Sequence, residues 1–316
     1  MVDSDKKNEN WEKEILEKLA FSSIREQRRG RRWGIFFKSL TFLYLFLLLF
    51  LAMGWIGKAG IKSIDKHTAL INLHGMLTPD SVSSAENINA SLRNAFNDKN
   101  TQGVIIQINS PGGSPVQAGY INDEILRLRS IYPDIPLYAV IGDICASGGY
   151  YVAAAADKIF VDKASLVGSI GVMLDGFGFA ETLEKLGIER RLITAGESKG
   201  FLDPFLPMDD KQIEHAQSML AEVHDQFVSV VRHGRGDRLK DDPTIFSGII
   251  WTGEKSIDLG LADAMGSVDY VAREIIQAED IVDYTAKEGL AERFAKRFGQ
   301  VVMNISGGAG NIVALR

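Results

Sequence analysis

Two short segments set small residues directly after apolar runs: Asn109-Ser110-Pro111-Gly112-Gly113-Ser114 and Cys145-Ala146-Ser147-Gly148-Gly149. Glycine lets backbone N–H groups approach a ligand closely, and a helix that begins there adds oriented donors. If both turns lie at the same ends of neighbouring parallel strands, their donors converge as an oxyanion requires. Ser147, between Ala146 and Gly148, would start its helix with an unobstructed hydroxyl. The pattern by itself leaves a plainer reading open, that small residues only permit tight packing of strand on helix.

A serine nucleophile needs a base. The five histidines are His67, His74, His215, His224 and His233. The last three are nine residues apart, so neighbours face opposite sides of a helix and form no ligand cluster; a surface position is expected for them. His74, ending a strand beside Gly75, is the alternative base. A lysine serves only when neutral, and burial away from carboxylates favours the neutral form. Lys199 lies among turn residues with Phe201 and Phe205 close by, but spacing does not single it out. Cys145 has no basic motif beside it and reads as a buried small hydrophobe. Gly176-Phe177-Gly178-Phe179 lacks the third glycine of a dinucleotide loop. With no Walker sequence and no metal-ligand spacing, neither a cofactor nor a metal is expected, and one cysteine cannot form an intramolecular disulfide.

The elements that must hold these groups alternate. Strands are predicted at 69–73, 103–108, 137–141 and 158–161, and helices at 85–97, 116–130 and 148–156. The strands are short, apolar and β-branched, which indicates an α/β fold with a parallel sheet covered by helices. A longer helix at 209–232 carries Ile213, Ala216, Leu220, Val223, Phe227 and Val230 on one stripe, predicted to pack.

Asn109-Ser110-Pro111-Gly112-Gly113, Ala146-Ser147-Gly148-Gly149-Tyr150-Tyr151, Ala155-Ala156-Asp157-Lys158-Ile159 and Gly168-Ser169-Ile170-Gly171-Val172 closely resemble blocks of the signal peptide peptidase A family of serine peptidases. Lys199 with Asp203-Pro204-Phe205, Gly234-Arg235-Gly236, Trp251-Thr252-Gly253 and Gly260-Leu261-Ala262-Asp263 match its later blocks in order. The resemblance implies a ClpP/crotonase-like fold of repeated β-β-α units and the half-size bacterial form. It assigns Ser147 as nucleophile, Lys199 as general base and Ser169 as the hydroxyl positioning the lysine. The backbone N–H groups of Gly148 and the Gly112-Gly113 turn become the oxyanion hole. It further implies a homo-oligomer in which the dyad is shared between protomers. Ser114-Pro115 follows the glycines where relatives often have another glycine, so the individual oxyanion donor stays open.

The 316 residues carry 35 Lys and Arg against 41 Asp and Glu, a net charge of −6 that argues against a nucleic-acid partner. The charge is uneven: residues 1–38 hold ten basic and seven acidic side chains. Next comes the uncharged, mostly apolar block from Ser39 to Gly57, 19 residues long. As a helix it would span roughly 28 Å, close to a bilayer core of about 30 Å. Arg25, Arg28, Arg29, Arg31, Arg32 and Lys38 crowd its N-terminal side, which predicts a cytoplasmic N-terminus. The block is too long for a signal-peptide core, and its exit lacks a small-x-small cleavage site.

The expected domains are a basic cytoplasmic tail over 1–33, a transmembrane signal anchor over 34–57, a catalytic domain over 58–285, and a C-terminal helix and flexible tail over 286–316. Within the tail, residues 9–21 show amphipathic helical spacing. The expected function is degradation of signal-peptide remnants and other apolar peptides at the outer face of the bacterial inner membrane. Two alternatives stand beside it: a crotonase-type enzyme acting on acyl-CoA, against which an extracytoplasmic site argues, and a non-catalytic oligomeric scaffold that binds peptides.

Overall fold

The computed structural model describes residues 28–48 and 66–286. Residues 28–48 are helical (α1) and belong to a compact unit separate from the rest. In α1 the Trp33 ring lies 5.9 Å from Phe36 and 5.7 Å from Phe37. Among the described residues, no helix is long and apolar enough to cross a membrane. Residues 49–57 of the predicted anchor lie outside the described residues, as do the amphipathic segment 9–21 and the C-terminal helix and tail from 287 onward.

The second unit begins with β1 (His67–His74), whose Ala69, Ile71 and Leu73 are fully buried. Helix α2 (Ala85–Asn97) follows; the Ser84 side chain accepts from Asn87 N–H, and Ile88, Leu92, Ala95 and Phe96 form its buried face. Strand β2 (Thr101–Ser110) pairs parallel to β1 through its whole length. Helix α3 (Pro115–Ile131) starts at a Ser114 cap with proline in the first turn and buries Ala118, Ile121, Ile125 and Leu128. Such spacing lays one side of each helix on the sheet. Strand β3 (Leu137–Ala146) and the short α4 (Gly148–Ala153) complete the set that bears the glycine turns.

Sequence bounds and observed bounds agree for α2 and for β4 (Lys158–Val161), whereas β2 and β3 run further than their apolar cores. The extension of β3 has a cause in pairing. Tyr138–Val140 pair with β4, and Ile144–Ala146 pair instead with β5 (Leu166–Gly168). The sheet therefore forks on β3, and polar Gly142 and Asp143 occupy the change of partner. Strand β6 (Ile250–Thr252) closes one edge antiparallel to β5, β7 (Ala264–Met265) extends β4, and β8 (Ile281–Asp283) lies parallel to β1 at the other edge. All other pairings are parallel, as expected from the alternation of elements, and the antiparallel β6 at one edge makes the sheet mixed.

Between β5 and the long helix α6 (Asp210–Arg235), residues 172–208 leave the sheet as an arm with only one short helix, α5 (Ala180–Lys185). Of the predicted apolar stripe of α6, only Phe227 is buried; Ile213, Ala216, Leu220, Val223 and Val230 are half-buried, and the buried neighbour at that end is Val231 instead. Its C-terminal end is fixed by charge. Arg235, 0% exposed, donates from Nη1 and Nη2 to both Asp263 oxygens at 2.9 Å and from Nε to Gly260 O at 2.8 Å. Asp263 Oδ2 also accepts Ile159 N–H at 2.7 Å, so one carboxylate joins α6 to the start of β4.

Candidate active site

Parallel pairing puts the C-terminal ends of β1, β2 and β3 side by side, and both glycine turns emerge there. Ser110 Oγ donates to Gly75 O at 2.6 Å and accepts Gly112 N–H at 3.1 Å, which pins the first turn to the end of β1. Leu77 N–H donates to Gly112 O at 2.9 Å and Ser114 N–H to Leu77 O at 2.8 Å. Gly113 lies between them at φ +144°, where a Cβ would collide with the Leu77 backbone. Gly112, at φ +109°, presses its α-carbon against the second turn: a Cβ there would lie 2.8 Å from Ser147 Cβ and 2.9 Å from Gly148 N. Glycine is required at both positions by torsion and by space.

Ser147 occupies φ +50° without a glycine's freedom. With ψ at −123°, such a sparsely populated conformation costs a non-glycine residue about 1–3 kcal/mol and marks a place where the surroundings impose geometry. The constraint is visible: Ser147 N–H donates to Gly168 O at 2.9 Å, and Ser147 O accepts Tyr151 N–H at 3.0 Å. The side chain makes no cap bond to α4, leaving the hydroxyl half-buried and uncommitted. Ser169 repeats the strain at φ +52° and donates its N–H to Ile249 O at 2.8 Å. Because Ala146 pairs with Gly168, the next residues of the two strands are these two serines. Register brings them together across 22 positions of sequence.

Three expected donors divide into two groups. Gly112 N–H is spent on Ser110 Oγ. Among the described residues, Gly113 N–H and Gly148 N–H have no acceptor, and a Cβ on Gly148 would lie 3.4 Å from Gly113 N. These two face the same space as Ser147. All six groups except Lys199 line one groove of about 960 Å³, with Met76, Val116, Tyr151 and Phe227 among its walls.

Lys199 is placed elsewhere in the chain's own fold. It sits in the arm, exposed, with its N–H on Gly196 O at 3.1 Å, and it is not among the residues lining the groove. The arm is tied within itself. Phe179 stacks on Phe205 at 5.6 Å, and Arg190 pairs with Asp203 at 3.0 Å. The backbone bond to Asp203 from Phe205 comes first in holding this carboxyl below its usual range, and Arg190 adds to it. Met173, Phe177 and Ile193 are 82%, 83% and 96% exposed on the same arm.

The other candidates separate clearly. Cys145 is fully buried, which pushes its thiol far upward and leaves no thiolate. His74 is exposed at the end of β1 and does not line the groove. His215 packs its ring 5.6 Å from Phe201. His224 departs from the expected surface position: it is half-buried, with Nε2 3.3 Å from Ile170 O, because α6 lies over the segment that follows Ser169. Among the described residues, no group of three His, Cys, Asp or Glu could hold a metal ion.

A family model, Peptidase family S49, matches residues 132–282, which include Ser147, Ser169 and Lys199. Over 203 residues the chain is 30% identical to an Enterococcus faecium protein named as a signal peptide peptidase SppA, covering 64% of this chain and 58% of that one. Over 196 residues it is 32% identical to a Methanocaldococcus jannaschii protein named as a protease, covering 60% and 62%. Residues 132–282 are thus similar to peptidase family S49, and the relatives named as a signal peptide peptidase and a protease agree with that match. A 212-residue segment is also 38% identical to a Brucella melitensis protein named Na(+)/H(+) antiporter NhaA; it covers 66% of this chain and 29% of that protein. The chain thus spans less than two thirds of the length of each of these S49-like and antiporter-named relatives.

Proposed function

We propose that this chain is a serine endopeptidase in which Ser147 attacks a peptide carbonyl and Lys199 takes the hydroxyl proton. The observation that carries the reading is the strained Ser147 beside two unpaired N–H donors in an open, largely apolar groove. As Oγ bonds to the carbonyl carbon, the oxygen gains charge and accepts from Gly113 and Gly148 N–H, donors already in place before the reaction. The lysine then gives its proton to the leaving amine, and the acyl-enzyme forms. Water, losing a proton to the same lysine, attacks the ester; the lysine returns that proton to Ser147 Oγ as the carboxylic acid product leaves. Ser169, next to Ser147 through strand register, is the hydroxyl that orients the lysine.

The lysine comes from a neighbouring copy of the chain. Two observations favour this: Lys199 stands outside the groove of its own chain, and the arm that carries it exposes large apolar side chains. The sheet fork on β3 agrees with a ClpP/crotonase-like spiral of β-β-α units. Substrates are signal-peptide remnants and other apolar peptides. An anchor over 34–57 holds the site at the outer face of the bacterial inner membrane, with the basic tail inside, and raises the effective concentration of such peptides.

Ser147→Ala and Lys199→Ala chains, each folded and inactive alone, test the reading when co-assembled from denaturant. Recovered peptide cleavage is expected. Activity in either variant alone would overturn the assignment, and failure to recover would place the dyad within one chain. Reporter fusions before residue 28 and after residue 286 test the topology; signals on the same side would contradict it.

A further inference from the structure

The groove that holds Ser147 has a single charged side chain among its lining residues, Asp123. It lies on α3, the helix that begins directly after the Gly112-Gly113 turn. Val116, Gly119, Tyr120 and Asp123 follow 3–4 spacing and line the groove together, so one ridge of α3 forms its floor. Val116 and Tyr120 are 57% and 59% exposed along this ridge, and a Cβ added at Gly119 would meet nothing within 4 Å. The floor is therefore open, apolar near the turn and anionic at its far end.

Asp123 is exposed and takes part in no ion pair among the described residues. The cations on the neighbouring Glu124 are already used: Arg93 and Arg127 both pair with it, at 3.1 and 2.7 Å. Tyr151, its ring tilted against Phe227 at 5.1 Å on the groove wall, is pushed upward first by burial and then by the negative charge of Asp123. The carboxylate is thus felt inside the groove. A second groove of about 490 Å³ adjoins the first; Tyr120 and Asp123 line both, and Glu86 adds a further carboxylate there.

We propose that Asp123 selects substrates carrying a lysine or arginine side chain about three residues from the bond cleaved, with apolar residues between. This rests on the peptidase reading above. The spacing comes from the helix. Seven residues from Val116 to Asp123 advance about 10.5 Å along α3, and an extended peptide covers that in about three residues. The intervening substrate side chains rest against Val116 and Tyr120. An exposed ion pair gives about a 1.4- to 5-fold preference and a cation beside an aromatic ring about 2-fold more, together about 3- to 10-fold.

The test uses the full-length chain and two pairs of N-acetylated fluorogenic apolar peptides. One pair has lysine or norleucine three residues before the scissile bond, the other three residues after it. Acetylation removes the α-amine as a competing cation. The expected result is a 3- to 10-fold higher kcat/KM for the lysine peptide in one pair, seen mainly in KM. That ratio should fall to about one in Asp123→Asn and invert in Asp123→Lys. Fluorophosphonate labelling of Ser147 is measured in parallel. A labelled enzyme that cleaves both peptides of each pair equally, or an Asp123→Asn variant that keeps the preference, overturns the proposal while leaving the peptidase intact. Absence of both labelling and cleavage overturns the peptidase reading and this proposal with it.

Discussion

Replacing Arg235 by methionine keeps most of the side-chain volume but leaves Asp263 ionised without its main partner. Arg235 is fully buried, and three of its N–H groups are within 2.9 Å of acceptors on Asp263 and Gly260. Breaking a buried pair by removing one partner costs about 3–5 kcal/mol. Asp263 keeps the Ile159 N–H at 2.7 Å and a half-exposed Arg238 at 3.2 Å, which favours the lower end of that range. At about 2–4 °C per kcal/mol for a domain of this size, 3 kcal/mol lowers the melting midpoint by about 6–12 °C. Adding Asp263→Leu removes the stranded charge, so the double variant should melt above the sum of the two single losses. Thermal unfolding followed by circular dichroism reads both effects. An Arg235→Met midpoint unchanged from the parent, or strictly additive losses, would refute the reasoning.

The same pair predicts an acid dependence. Burial alone would raise Asp263, but the hydrogen bonds and charge of Arg235 outweigh it, and the carboxyl titrates below its usual range. A lowered folded value means that the stabilisation is complete above the unfolded value of about 3.9 and is lost as pH falls below it. The stability gap between the parent and Asp263→Asn should therefore be constant near neutrality and close below about pH 4. Gly113→Ala forces a Cβ into the Leu77 backbone at a positive φ and displaces the N–H proposed as an oxyanion donor; kcat should fall about 10²- to 10³-fold with the fold retained, and a smaller loss would remove Gly113 from that role. Native Cys145 should resist iodoacetamide at pH 8 and react in denaturant; native alkylation would contradict its burial. Tyr284 OH donates to Asp98 Oδ2 at 2.7 Å and lies 3.0 Å from His67 Nε2. Tyr284→Phe should cost about 1 kcal/mol and speed hydrogen exchange in β8, whereas unchanged exchange would show that this contact does not hold the edge strand.

The sequence made the local features plain and left the long-range ones hidden. Helix α2 was legible because its Ser84 cap and apolar spacing are local, and β4 because its run is short and bounded. The extension of β3 to Ala146 depends on a second partner, β5, and no local pattern reports a partner 22 residues away. For the same reason the positive φ of Ser147 and Ser169 is not legible, although the small residues around Ser147 single it out and the family resemblance adds Ser169. The family resemblance implies the Gly112-Gly113 turn as a donor without choosing between the two residues; only the Ser110 hydroxyl, which occupies Gly112 N–H, separates them. Arg235 and Asp263 were noted as family blocks with no role assigned, since nothing in a sequence says that positions 28 apart share a buried pair. The half-buried α6 stripe and His224 against Ile170 O show a further difference: helical spacing predicts a face, and the neighbouring arm decides how far it is covered.

The central claim is that Ser147 is the attacking atom. Incubating the full-length chain with a fluorophosphonate and sequencing its peptides by mass spectrometry tests that directly. One adduct is expected, on Ser147, absent from Ser147→Ala and from the denatured protein. An adduct on another serine, or none in a folded and peptide-cleaving enzyme, would contradict it.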